Sequence, residues 1–209
     1  MKKAFLLVVV LALALGITYL LLHNGGSNNS KQAERDAPLS IGSKTSAFNR
    51  SFNGLLNSYY QLSEGFSAED TAQISIAVQH LNASVDSIRF DQFKADSSII
   101  LTAINVAQSI KGEILGLIGE KTMEQKKREF NLITEDIYSL IRVVKYDGSV
   151  IYHMRCTTAF SDSSDAYWLS ATPLILNPYL GKNNPAGKVK ITENGEVIDS
   201  IHFSAPASE

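Results

Sequence analysis

The chain's one thiol, Cys156, opens its densest run of unusual residues, CTTAFSDSSDAYWLSATPLILNPYLGKNNPAG over 156–187. The same segment holds the only tryptophan, Trp168, and three of the five prolines. An ordinary connecting loop does not need that composition. A lone thiol makes no internal disulfide; it is a free thiol, a ligand or an intermolecular link. As a nucleophile it would need a base to fix and activate it. Val150, Tyr152, Met154 and Cys156 alternate with Ile151, His153 and Arg155, the period of two that marks a strand. His153, the nearest base, therefore points away from the sulfur. The segment has no nearby carboxylate–histidine group and no glycine loop that could cradle phosphate. The sequence predicts a site here, and predicts that it is not an enzyme's.

The elements that must position this segment are helical. Phe48, Phe52, Leu55, Leu56, Tyr59 and Leu62 form one apolar stripe at helical spacing, and Ile74, Ala77, Val78, Leu81, Val85 and Ile88 a second. Ile100, Ala103, Ala107, Ile110, Ile114 and Leu117 make a third; Phe130, Ile133, Ile137, Leu140, Ile141 and Val144 a fourth. Gly65 is placed to end the first helix and Gly119 the third; Ser67 with Asp70, and Thr122 with Gln125, have capping-box spacing. Short connections favour antiparallel neighbours. The chain thus reads as mainly α, an up-down four-helix bundle over 45–147 followed by a small β-containing cap over 148–209. Asp147-Gly148 marks the change, and Asn194-Gly195 within KVKITENGEVID predicts a hairpin in the cap. His80 has no glutamate three residues before it, so it lacks the pairing of bundle metal centres and reads as a solvated or rim residue. Glu135 and Asp136 read as a solvated face; Tyr59-Tyr60 could line a groove, but at helical spacing the pair reads more simply as core.

At the amino terminus, Lys2 and Lys3 precede an apolar run of 19 residues from Ala4 to Leu22. As a helix that run is about 28 Å long, enough to cross the hydrocarbon core. The lysines put the amino terminus in the cytoplasm and the remainder outside it. Residues 1–26 read as an uncleaved transmembrane anchor or as a cleaved secretory signal, and both export the domain. Residues 27–44, rich in Gly, Ser and Asn, read as a flexible linker, leaving one soluble domain over 45–209. The formal net charge of −2, with no basic stripe, argues against nucleic acid as a partner.

The order Cys156 with Ala159, then Trp168-Leu169-Ser170, then Asn177-Pro178-Tyr179 with Gly181 carries a resemblance. Residues 51–198 resemble the domain-of-unknown-function family 3347, found mainly in Bacteroidetes envelope proteins. Its members join a helical bundle to a Cys-Pro-Met-Ala segment, then Trp-Leu-Ser, Asn-Pro-Tyr-x-Gly, and a later Met and Cys-Gly. They occur alone or joined to periplasmic adaptor subunits of heavy-metal efflux pumps. The resemblance implies copper, as Cu(I), or a related soft metal, which takes thiolate and thioether ligands. Here Thr157 and Thr158 replace the family's Pro and Met, Asn184 falls near the later Met, and Ala186 near the second Cys. The ligand set so implied reduces to Cys156, with Met154 and His153 as local substitutes. On a strand Met154 and Cys156 share a face about 7 Å apart. The plainer reading makes Cys156 a small buried hydrophobe, Trp168 the anchor of cap on bundle, and Asn177-Pro178-Tyr179 a fixed turn.

Two functions follow. One is an inner-membrane-anchored, periplasm-facing accessory of heavy-metal efflux with a degenerate soft-metal site. The other is a structural or interaction protein that docks an efflux complex or another envelope protein and has no metal role.

Overall fold

Residues 41–181 and 195–203 are described by a computed structural model. The anchor or signal segment at 1–26, most of the linker, the first arm of the hairpin at 188–193, Asn184 and Ala186 lie outside the described residues. No helix among the described residues is long and apolar enough to cross a membrane.

The protein is mostly helical with a small antiparallel three-stranded sheet. Helices α1 (Ser46–Ala68) and α2 (Thr71–Asp86) pack on each other, as do α3 (Ser97–Gly119) and α4 (Met123–Val143). The four stripes form a common core; every stripe residue is buried except Ile100, which is half-buried. Aromatic rings join α1 to α4, with Tyr59 and Phe66 at 5.4 and 4.8 Å from Phe130.

Two helix ends depart from expectation. Helix α1 runs through Gly65 to Ala68, and Glu69 in the left-handed region (φ 49°) closes it. Gly65 is needed for closeness instead, since a Cβ there would stand 3.1 Å from Ile74 Cγ1. It lets α1 and α2 approach. Asp70 caps α2 alone, accepting from the Ala72 and Gln73 N–H groups at 3.0 Å. Ser67 donates back to Ser63 O instead of joining a box. The other two boundaries match: α3 ends at Gly119, and Thr122 with Gln125 forms a capping box on α4.

Residues 41–44, expected in the linker, are instead a strand. β1 (Ile41–Lys44) pairs antiparallel with β2 (Phe93–Ala95), which follows a short 3-10 turn over Phe90–Gln92. Phe93 stacks on Phe48 at 5.0 Å, and Lys44 reaches Asp147 at 2.9 Å. The domain therefore begins earlier than composition indicates.

The sheet comprises β3 (Ile151–Cys156) between β4 (Ala166–Ser170) and β5 (Glu196–Ile201), all antiparallel. Met154 is opposite Trp168, and Cys156 opposite Ala166. One extra residue of β5 shifts its register between His153 and Met154.

Glu135 keeps its side chain 42 % exposed, as a solvated face implies, but Asp136 does not lie on such a face. Glu135 turns to His153, and Asp136 on α4 meets Glu113 on α3. Glu113 Oε2 and Asp136 Oδ2 are both shielded from water and receive no donor from elsewhere. Burial, then the Asp136 charge, push the Glu113 carboxyl up to about 7; burial also raises Asp136. The folded state thus holds a proton that the unfolded chain releases near the ordinary carboxyl value. Stability falls as pH rises from roughly 4.5 to 7. Glu113→Gln is expected to raise the unfolding free energy near pH 8 by about 1 kcal/mol, discounted for the half-exposed position, and to change it little near pH 5. Urea titrations of both proteins at the two pH values test this; parallel pH profiles would refute it.

Candidate functional site

The face of β3 that carries Met154 and Cys156 is closed. Met154 is fully buried and Cys156 is 2 % exposed, its sulfur 3.7 Å from Thr158 Oγ1. His153 is also buried but belongs to a different neighbourhood. Its Nε2 lies 3.2 Å from Glu135 Oε1, and its ring sits 4.1 Å from Tyr138 and 5.3 Å from Tyr167. The strand alternation places Met154 and Cys156 together and leaves His153 apart. Among the described residues no three His, Cys, Asp or Glu side chains are grouped to hold a metal ion. His80 is exposed on α2.

The remaining motif residues fasten the sheet to the helices. β4 is an edge strand, and an edge presents unpaired N–H and C=O groups that must be satisfied when buried. The Tyr167 N–H donates to Asn131 Oδ1 at 2.7 Å and the Leu169 N–H to the Tyr59 hydroxyl at 3.0 Å. Tyr59 passes the chain on: its hydroxyl lies 2.8 Å from Thr134 Oγ1, which itself donates to Phe130 O at 2.9 Å. Because the Thr134 proton is committed, Tyr59 donates and Thr134 accepts. The Tyr179 hydroxyl donates to Tyr167 O, so three polar groups of the β4 edge are closed by side chains.

Tyr179 is held in turn by its own backbone. Its N–H donates to Asn177 Oδ1 at 2.9 Å, the turn expected of Asn-Pro. Its carbonyl accepts from Lys127 Nζ at 2.7 Å, and Lys127 also reaches Glu69 Oε1 at 2.9 Å. Pro178 is buried between these anchors. Gly181 then turns the chain with φ +58°, and a Cβ there would stand 2.1 Å from Glu69 Cδ. Gly181→Ala is expected to cost about 2 kcal/mol, from a left-handed backbone and from the displaced Glu69. A thermal melt measures it; an unchanged midpoint would remove Gly181 from the clamp. Trp168, 1 % exposed, packs on Tyr179 with ring centroids 6.3 Å apart.

Sequence reasoning missed the helix residues of this clamp. Tyr59 sits in an apolar stripe and reads as core, as it is, while its hydroxyl does separate work. Lys127 and Asn131 carry no local signal. Thr134, beside Ile133 in the fourth stripe, is the one that a search for polar residues in a buried stripe would have found.

Beside the clamp an open cleft of about 610 Å³ separates α1 from β4 and the chain after it. One helix face supplies Tyr60, Ser63, Glu64, Ser67 and Ala68, at the i, i+3, i+4, i+7, i+8 spacing; the other wall is Trp168 to Thr172 with Leu176. Leu176 is exposed there, at 49 %. Glu64 is the one charged residue of the lining. Burial raises the Tyr60 phenol well above its ordinary value, so it remains protonated. Compared with known proteins, the chain matches no family model, no curated protein and no solved structure.

Proposed function

We propose that this chain is a non-enzymatic interaction domain, anchored in a bacterial inner membrane and facing the periplasm, that docks an envelope partner such as an efflux complex. In this reading the four helices are an up-down bundle that serves as a scaffold, and the β-containing cap completes the binding surface. The observation that carries it is the division of labour around β4. Trp168, Asn177, Pro178, Tyr179 and Gly181 are spent on holding the sheet to the helices, while the adjacent cleft is left with exposed Leu176 and no cover among the described residues. Exposed apolar surface of that kind marks interaction sites.

The test is a photo-reactive phenylalanine at Leu176, compared with the same group at exposed His80, in membranes of cells that make the full chain. A discrete adduct from the Leu176 position alone is the expected result. Identical adducts from both positions, or none from Leu176, would sink the reading.

One observation favours the soft-metal reading. Met154 and Cys156 stand two residues apart on one buried strand face, a thioether and a thiol suited to Cu(I), and the resemblance to the efflux-associated family points the same way. A Cu(I) competition titration of the full chain against Cys156→Ser decides it. Stoichiometric binding that disappears in the variant would establish the metal role; equal weak binding by both proteins would end it.

A further inference from the structure

The cleft between α1 and β4 has a chemistry that narrows its occupant, and the argument rests on the reading of this cleft as the working surface. Its accessible walls are mostly carbon: Ala171 and Leu176 face Tyr60 and Ala68, with the buried Trp168 and Leu169 behind them. A space of about 610 Å³ lies within the range of sites that take small organic ligands. Charge then discriminates between ligand classes. Glu64 is the single charged residue among the lining side chains, it is exposed on α1, and no cation pairs with it among the described residues. Lys127 of the neighbouring clamp is already committed to Glu69 and to the Tyr179 carbonyl. The remaining polar groups are hydroxyls, and two of these are occupied locally: Ser67 donates to Ser63 O, and Ser170 accepts from the Thr172 N–H. An anion entering the cleft would meet Glu64 with no compensating donor of full charge, whereas a cation would find an unpaired carboxylate at the edge of an apolar surface.

We propose that this cleft binds a small apolar molecule bearing one cationic amine, with the apolar body against Tyr60, Ala171 and Leu176 and the ammonium on Glu64. The position of Trp168 provides the readout, because it is the only tryptophan in the chain and lines the site. Phenylbutylamine, phenylbutanol and phenylbutyrate share one body and differ in head charge. They are titrated against the full chain in lipid nanodiscs, following tryptophan emission, with empty nanodiscs as the blank. The expected result is saturable binding of the amine, affinity for the alcohol about three- to tenfold lower, and weaker binding still of the carboxylate. Glu64→Gln is expected to bring the amine down to the level of the alcohol. Ala68→Phe, which adds a ring to the helix wall of the cleft, is expected to abolish binding of all three while the protein still melts cooperatively.

Equal affinity for the three heads, no saturable response to any, or amine binding that survives both substitutions would overturn the proposal. If that happens while the Leu176 cross-link persists, the ligand class is wrong and the docking surface stands. If the cross-link fails too, the cleft is not the working surface.

Discussion

Tyr179→Ala is expected to lower the unfolding free energy by about 3–5 kcal/mol, and Tyr179→Phe by about 1–2 kcal/mol. The first figure is the loss of a large buried ring that touches Phe130, Phe160 and Trp168. The second isolates one hydrogen bond. Burial keeps the Tyr179 phenol protonated far above its ordinary range, so at any working pH it is a donor, and the group it serves is Tyr167 O on the edge of β4. Removing the donor leaves that carbonyl shielded and unpaired, which is the costly half of a hydrogen-bond deletion. Denaturant titrations of the three proteins give both numbers. Trp168 emission in the native baseline supplies a local readout, because a released β4 edge would wet the indole. A Phe variant as stable as the native protein would mean that the carbonyl finds water, and that the edge is not sealed by Tyr179.

That clamp separates what was legible in the sequence from what was not. The four stripes were readable because helix burial repeats along the chain, so each stripe reports its own element without knowledge of the others. The cap at Thr122–Gln125 was readable for the same reason: its donors and acceptors are three residues apart. The turn at Asn177-Pro178-Tyr179 and the anchoring of Trp168 were also within reach. The partners that make those residues a unit were not. Tyr59 and Leu169 are 110 residues apart, and Lys127 and Tyr179 are 52 apart; neither pair leaves a local trace. The apolar cleft was only partly legible: the Tyr59-Tyr60 pair offered a groove as its less favoured reading, and Tyr60 does line the cleft, but its opposite wall exists only once β4 is laid beside α1. Of the three side chains proposed as ligands, alternation grouped Met154 with Cys156, and only the packing of α4 shows that His153 is engaged with Glu135 and Tyr138. The misplaced domain start has a different cause. Residues 41–44 are short and glycine-containing, and their strand exists because of β2, Phe48 and Asp147, all distant in sequence.

Asp147→Ala is accordingly expected to cost about 3–5 kcal/mol, as much as a large core truncation. The Lys44 and Asp147 side chains are 3 % and 8 % exposed, with Nζ and Oδ2 2.9 Å apart. Asn49 adds only a long contact of 3.5 Å to the other carboxylate oxygen. Truncating one partner strands the other charge away from water, and the penalty is the desolvation of that charge more than the loss of attraction. A surface ion pair would behave otherwise, costing about 0–1 kcal/mol, so the magnitude itself discriminates between the two situations. Replacing both, as Lys44→Met with Asp147→Leu, removes the stranded charge and is expected to recover most of the loss. The same pair fixes where the domain begins. A chain in which residues 41–44 are replaced by a Gly-Ser stretch should be destabilised about as much as Asp147→Ala, because it strands the pair's other charge, the Asp147 carboxylate, and also opens the β1–β2 ladder. Urea titrations of the single, double and replaced proteins measure all three. If the replaced chain were as stable as the native one, the tether would extend to residue 44 and the Lys44–Asp147 pair would contribute nothing to holding the fold.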